Sequence, residues 1–164
     1  MIPTRDRLHG ARGTVVRVMA SPLRRLRARL LKAFFQSHTA IYRLSGGRIG
    51  ANVGLPALLL TTTGRKSGQP RTTPLVYFRD GDRYVVVGSD GAARRHPQWH
   101  QNLLVDPNAE IQVGPKKLRV IASVASGDER ARLWKLGEGV NPMWQRYQTR
   151  TPREIPVVVL TPRS

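Results

Sequence analysis

Apolar and polar positions follow two different periods along this chain, one near the N-terminus and one over the rest. Between residues 15 and 35, Val15, Val18, Met19, Leu23, Leu26, Leu30 and Phe34 recur mostly at three- and four-residue intervals, with arginines between them. That spacing predicts a basic amphipathic helix, kinked or restarted at Pro22. A short helical piece over 38–44 and a turn through Gly46, Gly47 and Gly50 follow it.

Beyond the turn the pattern becomes that of β-structure. Residues 56–63 read as a buried strand rich in Leu and Thr, and 71–79 and 83–89 as two more, joined by the hairpin signal Asp80-Gly81-Asp82. Residues 109–113 and 117–125 flank Gly114-Pro115 as a second hairpin, and 155–161 is an apolar terminal strand. Helices are expected over 97–105, with Pro97 in the first turn, over 128–138, with Asp128 as cap, and over 142–149. Six short antiparallel strands would leave costly open edges, so a closed or split barrel with helices at its side is the natural architecture. The fold class is therefore mainly β with flanking helices (α+β), with segment 1–37 attached to a barrel domain over 38–164.

A chain of 164 residues with 40% hydrophobic residues, 15 Gly and 12 Pro suits one turn-rich globular core. The absence of cysteine excludes disulfides, thiolate metal sites and cysteine nucleophiles. No apolar stretch approaches the roughly 20 residues needed to span a bilayer. No apolar run follows Arg5, Arg7 and Arg12, which argues against a cleavable secretory signal and for a cytoplasmic address.

Charge narrows the partners without ranking them. The net charge is +18, and segment 1–37 carries nine basic residues against one acid, a net +8. Such a field attracts nucleic acid, an anionic membrane surface or an anionic cofactor. Near an anionic leaflet each Lys or Arg contributes about 1 kcal/mol, so segment 1–37 could hold the protein peripherally on the inner face of the cell membrane. Packing of that helix on the barrel or on a second subunit explains its apolar face equally well. No aromatic and basic nucleic-acid signature is present, so no nucleic acid is expected as a partner.

Three clusters could carry chemistry. The first is the polar turn Gly64-Arg65-Lys66-Ser67-Gly68-Gln69-Pro70-Arg71, with three cations, no acid and two glycines that let the backbone approach a ligand. On spacing alone it reads equally as an anion cradle and as a solvated basic hairpin. It is not a Walker loop. The second runs from Val87, Gly88, Ser89 and Asp90 to the helix bearing Trp99, His100 and Asn102; Trp99 there reads by default as core. His96 and His100 stand at two-histidine metal spacing, but no Glu intervenes and the nearby arginines would repel a cation, so no metal is expected. The third is Met143, Trp144 and Tyr147, whose default reading is cover for the barrel; Tyr147 could instead donate a proton to a reduced acceptor. Nucleophile elbows, Ser-x-x-Lys pairs and dinucleotide fingerprints are absent.

The ordered residues Leu58-Leu59-Leu60-Thr61-Thr62-Thr63-Gly64-Arg65-Lys66-Ser67-Gly68-Gln69-Pro70-Arg71, then Pro74-Leu75, Ser89, Pro97-x-Trp99-x-x-Asn102-Leu103 and Arg153-x-Ile155-Pro156, closely resemble the deazaflavin-dependent nitroreductase family from about Tyr42 onward. The resemblance implies a split β-barrel of the flavin-reductase and pyridoxamine-oxidase kind. It also implies coenzyme F420, an 8-hydroxy-5-deazaflavin with a phosphodiester and an oligoglutamate tail. In its reduced form, F420H2, it would give a hydride to a small-molecule acceptor such as a quinone, a nitroaromatic or an activated enone. Carried over by position, Arg65, Lys66, Ser67 and Arg71 would line the anionic part of the cofactor, and Thr72, Thr73 and Pro74 would continue toward the ring. Val87, Gly88, Ser89 and Asp90, with Gln98, Trp99, His100, Gln101 and Asn102, would bound the ring. Tyr147 and Ser89 would be the catalytic residues, with Tyr147 facing the acceptor. Asp90 stands where the family often has Lys or Asn, and His100 where it often has Tyr, so an acidic tail and Asp90 would repel each other. A preference for F420 over FMN rests on the resemblance alone, and a homodimer is left open.

Overall fold

The computed structural model describes residues 55–163. The basic helix expected in segment 1–37, the helical piece over 38–44 and the glycine turn lie outside the described residues. Six strands form in order: β1 (Ala57–Thr63), β2 (Pro70–Asp80), β3 (Arg83–Val87), β4 (Asn108–Val113), β5 (Lys116–Val124) and β6 (Val157–Pro162). They close into an antiparallel barrel in the order β1-β2-β3-β6-β5-β4, with β4 returning to β1. Both predicted hairpins exist. Asp80 pairs with Arg83 around Gly81 at φ 60°, and Val113 pairs with Lys116 around Gly114 at φ 57°.

Strand alternation divides the apolar residues between two cores. Leu58 and Leu60 of β1, Tyr84 and Val86 of β3, Ile111, Val120, and Val158 and Leu160 of β6 fill the barrel. Phe78, Val85, Val87, Val157 and Val159 face outward and are covered by helices α2 (Gly127–Val140) and α3 (Met143–Arg150) through Leu133, Trp144 and Tyr147. β3 and β6 are thus buried on both faces, which is why they read as unbroken apolar runs.

The strand register gathers one end of the barrel into a site. β1 and β3 finish there, β2, β4 and β6 begin there, and helix α1 (Gln98–Leu103) lies across it, dropping Trp99 and Leu103 into the barrel core.

Several expected boundaries shift. β3 ends at Val87 instead of residue 89, because the chain enters a 3-10 turn at Asp90–Ala92. β6 begins at Val157, after a buried Ile155 and Pro156. Pro97 occupies the N-cap of α1, ahead of the first turn. The cap of α2 is Ser126, not Asp128, which sits in the first turn with Glu129, where both carboxylates face the positive end of the helix.

Candidate functional site

Two loops and one helix build the site. The first loop leaves β1 at Gly64, whose N–H donates to Gln69 O at 2.9 Å, while its carbonyl accepts from Ser67 N (3.0 Å) and Gly68 N (2.7 Å). A Cβ on Gly64 would fall 2.9 Å from Ser67 Oγ, and Gly68 sits at φ 65°, so both glycines are required by the turn itself.

Arg65 fastens this loop to α1. Its Nη1 donates to Gln98 Oε1 (2.8 Å) and Asn102 Oδ1 (3.2 Å), its Nη2 to Gln101 Oε1 (2.9 Å), and its backbone N–H to Asn102 Oδ1 (3.2 Å). Asn102, itself buried, donates from Nδ2 to Thr62 Oγ1 at 3.1 Å, and Gln101 Nε2 donates to His96 O at 2.7 Å. The loop therefore presents Lys66, Ser67 and Arg71 on its exposed side, with Ser67 Oγ accepting from Gln69 N (3.3 Å) and receiving Arg71 Nη2 at 3.5 Å. Lys66 has no hydrogen-bond or ion-pair partner among the described residues. Thr72, Thr73 and Pro74 lie at the start of β2 opposite Thr61, Leu60 and Leu59, and the hydroxyls of Thr72 and Thr61 are 2.9 Å apart.

The second loop follows β3. Gly88 donates to Pro156 O at 2.9 Å, and a Cβ there would meet the Pro156 ring at 2.7 Å, so only glycine allows the approach. Ser89 has right-handed helical dihedrals and Asp90 a φ of 46°. That succession turns consecutive amide N–H groups toward one side, the geometry of an anion-binding concavity. Arg153, a residue to which the sequence assigned no role, binds the carbonyls of this turn.

α1 contributes less to an open surface than its sequence suggested. Trp99 and His100 are each 5% exposed. Trp99 belongs to the barrel core, whereas His100 stacks near His96, with ring centroids 5.0 Å apart. Neither ring nitrogen of His100 has a partner among the described residues; burial foremost, then His96 and Arg153, lowers its pKa to about 4. It is neutral at physiological pH. Burial also lowers the pKa of His96, with the Arg153 charge a smaller cause. Val87 faces the outer core, not the loops, and Tyr147 lies half-buried against that same core on α3, the helix that abuts the Asp90–Ala92 turn.

The structure thus joins Arg65 to Gln98, Gln101 and Asn102, and Ser67 to Arg71, and sets all of them at the barrel end where Gly88, Ser89 and Asp90 turn. Thr62, His96 and Arg153 complete the bonding; sequence reading placed Thr62 and Arg153 only within the resembling motifs and His96 only at a rejected metal spacing, and gave none of them this role. Their partners lie 40 or more residues away for Thr62 and 57 or more for Arg153, so no local pattern could have pointed to them. No group of side chains suited to a metal exists among the described residues. The acid-free cationic loop and the amides of the Ser89–Asp90 succession suit an anionic ligand, with Asp90 the exposed acid of that turn. No helix among the described residues is long and apolar enough to cross a membrane.

Comparison with known proteins agrees with this chemistry. The family model F420H(2)-dependent quinone reductase matches residues 34–162. An F420H(2)-dependent quinone reductase of Mycobacterium tuberculosis is 49% identical over 131 residues, covering 77% of this chain and 88% of that protein. A solved structure of an F420-H2 dependent reductase is 39% identical with a TM-score of 0.60, covering 64% of this chain and 93% of its own. Another, described as a domain-swapped dimer, is 33% identical with a TM-score of 0.63, covering 85% and 99% respectively.

Proposed function

Because the chain belongs to the F420H(2)-dependent quinone reductase family, we propose that its barrel end holds the reduced deazaflavin between the 64–71 loop and the Gly88–Ala92 turn. The protein is an oxidoreductase that uses coenzyme F420 and reduces a quinone. When bound, the reduced deazaflavin supplies a hydride, two electrons in one step, to the acceptor. The protein's own residues bind, orient and protonate.

Lys66 and Arg71 hold the phosphodiester, with the Ser67 hydroxyl as a further donor. Arg65 acts one step back, because its guanidinium is bonded to Gln98, Gln101 and Asn102 and fixes the loop that carries the other two. Thr72, Thr73 and Pro74 continue the wall toward the ring; Ser89 and Asp90 bound it with backbone amides, and Gly88, whose own N–H is bonded to Pro156 O, lets the chain pass close. Val87, Trp99 and His100 shape that wall from behind, as buried residues. A quinone oxygen that gains negative charge on reduction takes a proton, which Tyr147 or Ser89 supplies. Exposed ion pairs contribute only about 0.2–1 kcal/mol each, so contact with the ring must provide most of the affinity. Nitroaromatics and activated enones accept hydride by the same chemistry and are proposed as further acceptors.

The exposed Lys66, without a partner among the described residues, on a loop clamped by Arg65 is the observation that carries this reading. Fluorescence titration with F420, with FMN as control, tests it. Selective micromolar binding, weakened about two- to fivefold by Lys66→Ala, is expected; equal or better binding of FMN would leave the fold standing and remove the cofactor assignment.

The net +8 of segment 1–37 supports a second, compatible role, attachment to an anionic membrane surface from the cytoplasm. Full chain and a chain lacking that segment should differ in co-sedimentation with anionic vesicles; equal pelleting rejects the idea. Likeness to the domain-swapped dimer supports a homodimer, which light scattering of the full chain would reveal as twice the monomer mass.

A further inference from the structure

The peptide after Gly88 holds a backbone that its own residues disfavour. Asp90 and Ala92 carry a Cβ, yet they lie at φ 46° and 68°, with Gly91 between them at 60°. Three left-handed residues in succession are unusual for L-amino acids, and such strain persists only where the surroundings over-determine it. Within the turn only two backbone bonds oppose it, Ala92 N to Ser89 O (3.0 Å) and Ala93 N to Asp90 O (3.1 Å).

The surroundings act mainly through one side chain. Arg153 Nη2 donates to Gly88 O and Ser89 O, each at 2.9 Å, and its Nε donates to Ala93 O at 2.8 Å. Nη1 lies 3.3 Å from His96 Nδ1, which can only accept from a guanidinium. One planar group therefore grips the turn before and after its left-handed residues. Arg153 is itself well anchored. Gln148 Nε2 donates to its carbonyl (2.9 Å), Gln148 Oε1 accepts from Ile155 N (2.9 Å), and Arg130 binds both Ile155 O (3.1 Å) and the Glu154 carboxylate (3.1 Å).

We propose that Arg153 is a positioning residue: by binding the carbonyls of Gly88, Ser89 and Ala93 it holds the Asp90–Ala92 turn left-handed and so presents the Ser89 hydroxyl and the adjacent amides to the cofactor. The proposal rests on the deazaflavin reading given above for the ligand, and on the hydrogen bonds alone for the clamp. A lysine cannot reproduce it, since an ammonium lacks the planar fork that reaches three carbonyls at once.

The full chain with Arg153→Met or Arg153→Lys, each alone and combined with Ala92→Gly, tests the clamp. Amide hydrogen exchange is read over 88–93 in the cofactor-free protein, deazaflavin affinity by fluorescence, and kcat and KM with a soluble naphthoquinone. Arg153→Met should speed exchange across 88–93 tenfold or more, leave strands β3 and β6 protected, and weaken deazaflavin binding about tenfold; Arg153→Lys should fall between, and it carries the comparison if the Met variant does not fold. Adding Ala92→Gly should restore about fivefold in affinity, because glycine adopts the left-handed conformation freely. A merely structural arginine predicts the reverse, since a glycine would only loosen the fold further. Unchanged exchange over 88–93 in a folded Arg153→Met, or failure of the glycine to restore binding, overturns the proposal. If the wild type itself binds no deazaflavin, the ligand reading fails, while the exchange comparison still decides whether Arg153 holds the turn.

Discussion

His100 shows how a single buried side chain sets a property of the whole protein. With both ring nitrogens buried and without a partner among the described residues, it resists protonation, and its pKa is pushed down to about 4. In the unfolded chain a histidine titrates near 6.5. As pH falls below about 6.5 the unfolded state binds the proton first, so stability is undiminished above that value. It declines between about 6.5 and 4, by something on the order of 3 kcal/mol. His100→Phe, which keeps a ring and removes the ionisable nitrogens, should flatten that decline. Chemical denaturation at pH 7 and pH 5 measures it, and an equal loss in both proteins would exonerate His100. Asp80 also loses its contribution on acidification, but at lower pH and because its charged form is favoured in the fold instead of disfavoured. Hydrogen bonds from Arg132, then Arg83, hold its carboxylate to about 2, so its contribution is present above about 3.8 and is lost only as pH falls toward 2.

Among the elements, α2 and α3 depend on one glycine. A Cβ on Gly137 would lie 3.0 Å from Trp144 Cζ3 and 3.1 Å from Phe78 Cε1, where the rings of two elements meet at a centroid distance of 6.2 Å. Gly139, two residues on and so on another side of the helix, has nothing within 4 Å. Alanine is the better helix former at either site by about 1 kcal/mol. At Gly137 overpacking of about 1–3 kcal/mol should win, and at Gly139 propensity should win. Opposite shifts in melting temperature for Gly137→Ala and Gly139→Ala are expected; shifts of the same sign would mean that the Trp144 ring moves aside freely. The elements were largely legible in sequence, because alternation and turn glycines are local signals: all six strands lie within two residues of the expected limits. The site was less legible. Its loop and helix could be picked out, but Arg65 reaches residues 33 to 37 positions away and Arg153 reaches back 57 to 65. The left-handed turn escaped notice because Ala92 carries no signal for positive φ.

For the whole molecule the order of strands matters more than their number. β6, the last of the described strands, is not at an end of the sheet; it is inserted between β3 and β5. Val158 pairs with Val86, some 72 positions earlier, and with Val124, some 34 earlier. Barrels dominated by such distant pairings fold on a scale of milliseconds to seconds, because each closure must first overcome the entropy of a long loop. During synthesis the strand that separates β3 from β5 leaves the ribosome after both of them. Until it arrives those two strands have no partner on that side, and Arg153, four residues ahead of β6, has not reached the turn it binds. Ligand capture should therefore appear with the slowest refolding phase and not before, which stopped-flow refolding in the presence of F420, followed by the coenzyme's own fluorescence, would register. The barrel's final seam would thus keep time for the proposed site: a chain still lacking β6 also lacks the grip of Arg153 on the turn between Gly88 and Ala93.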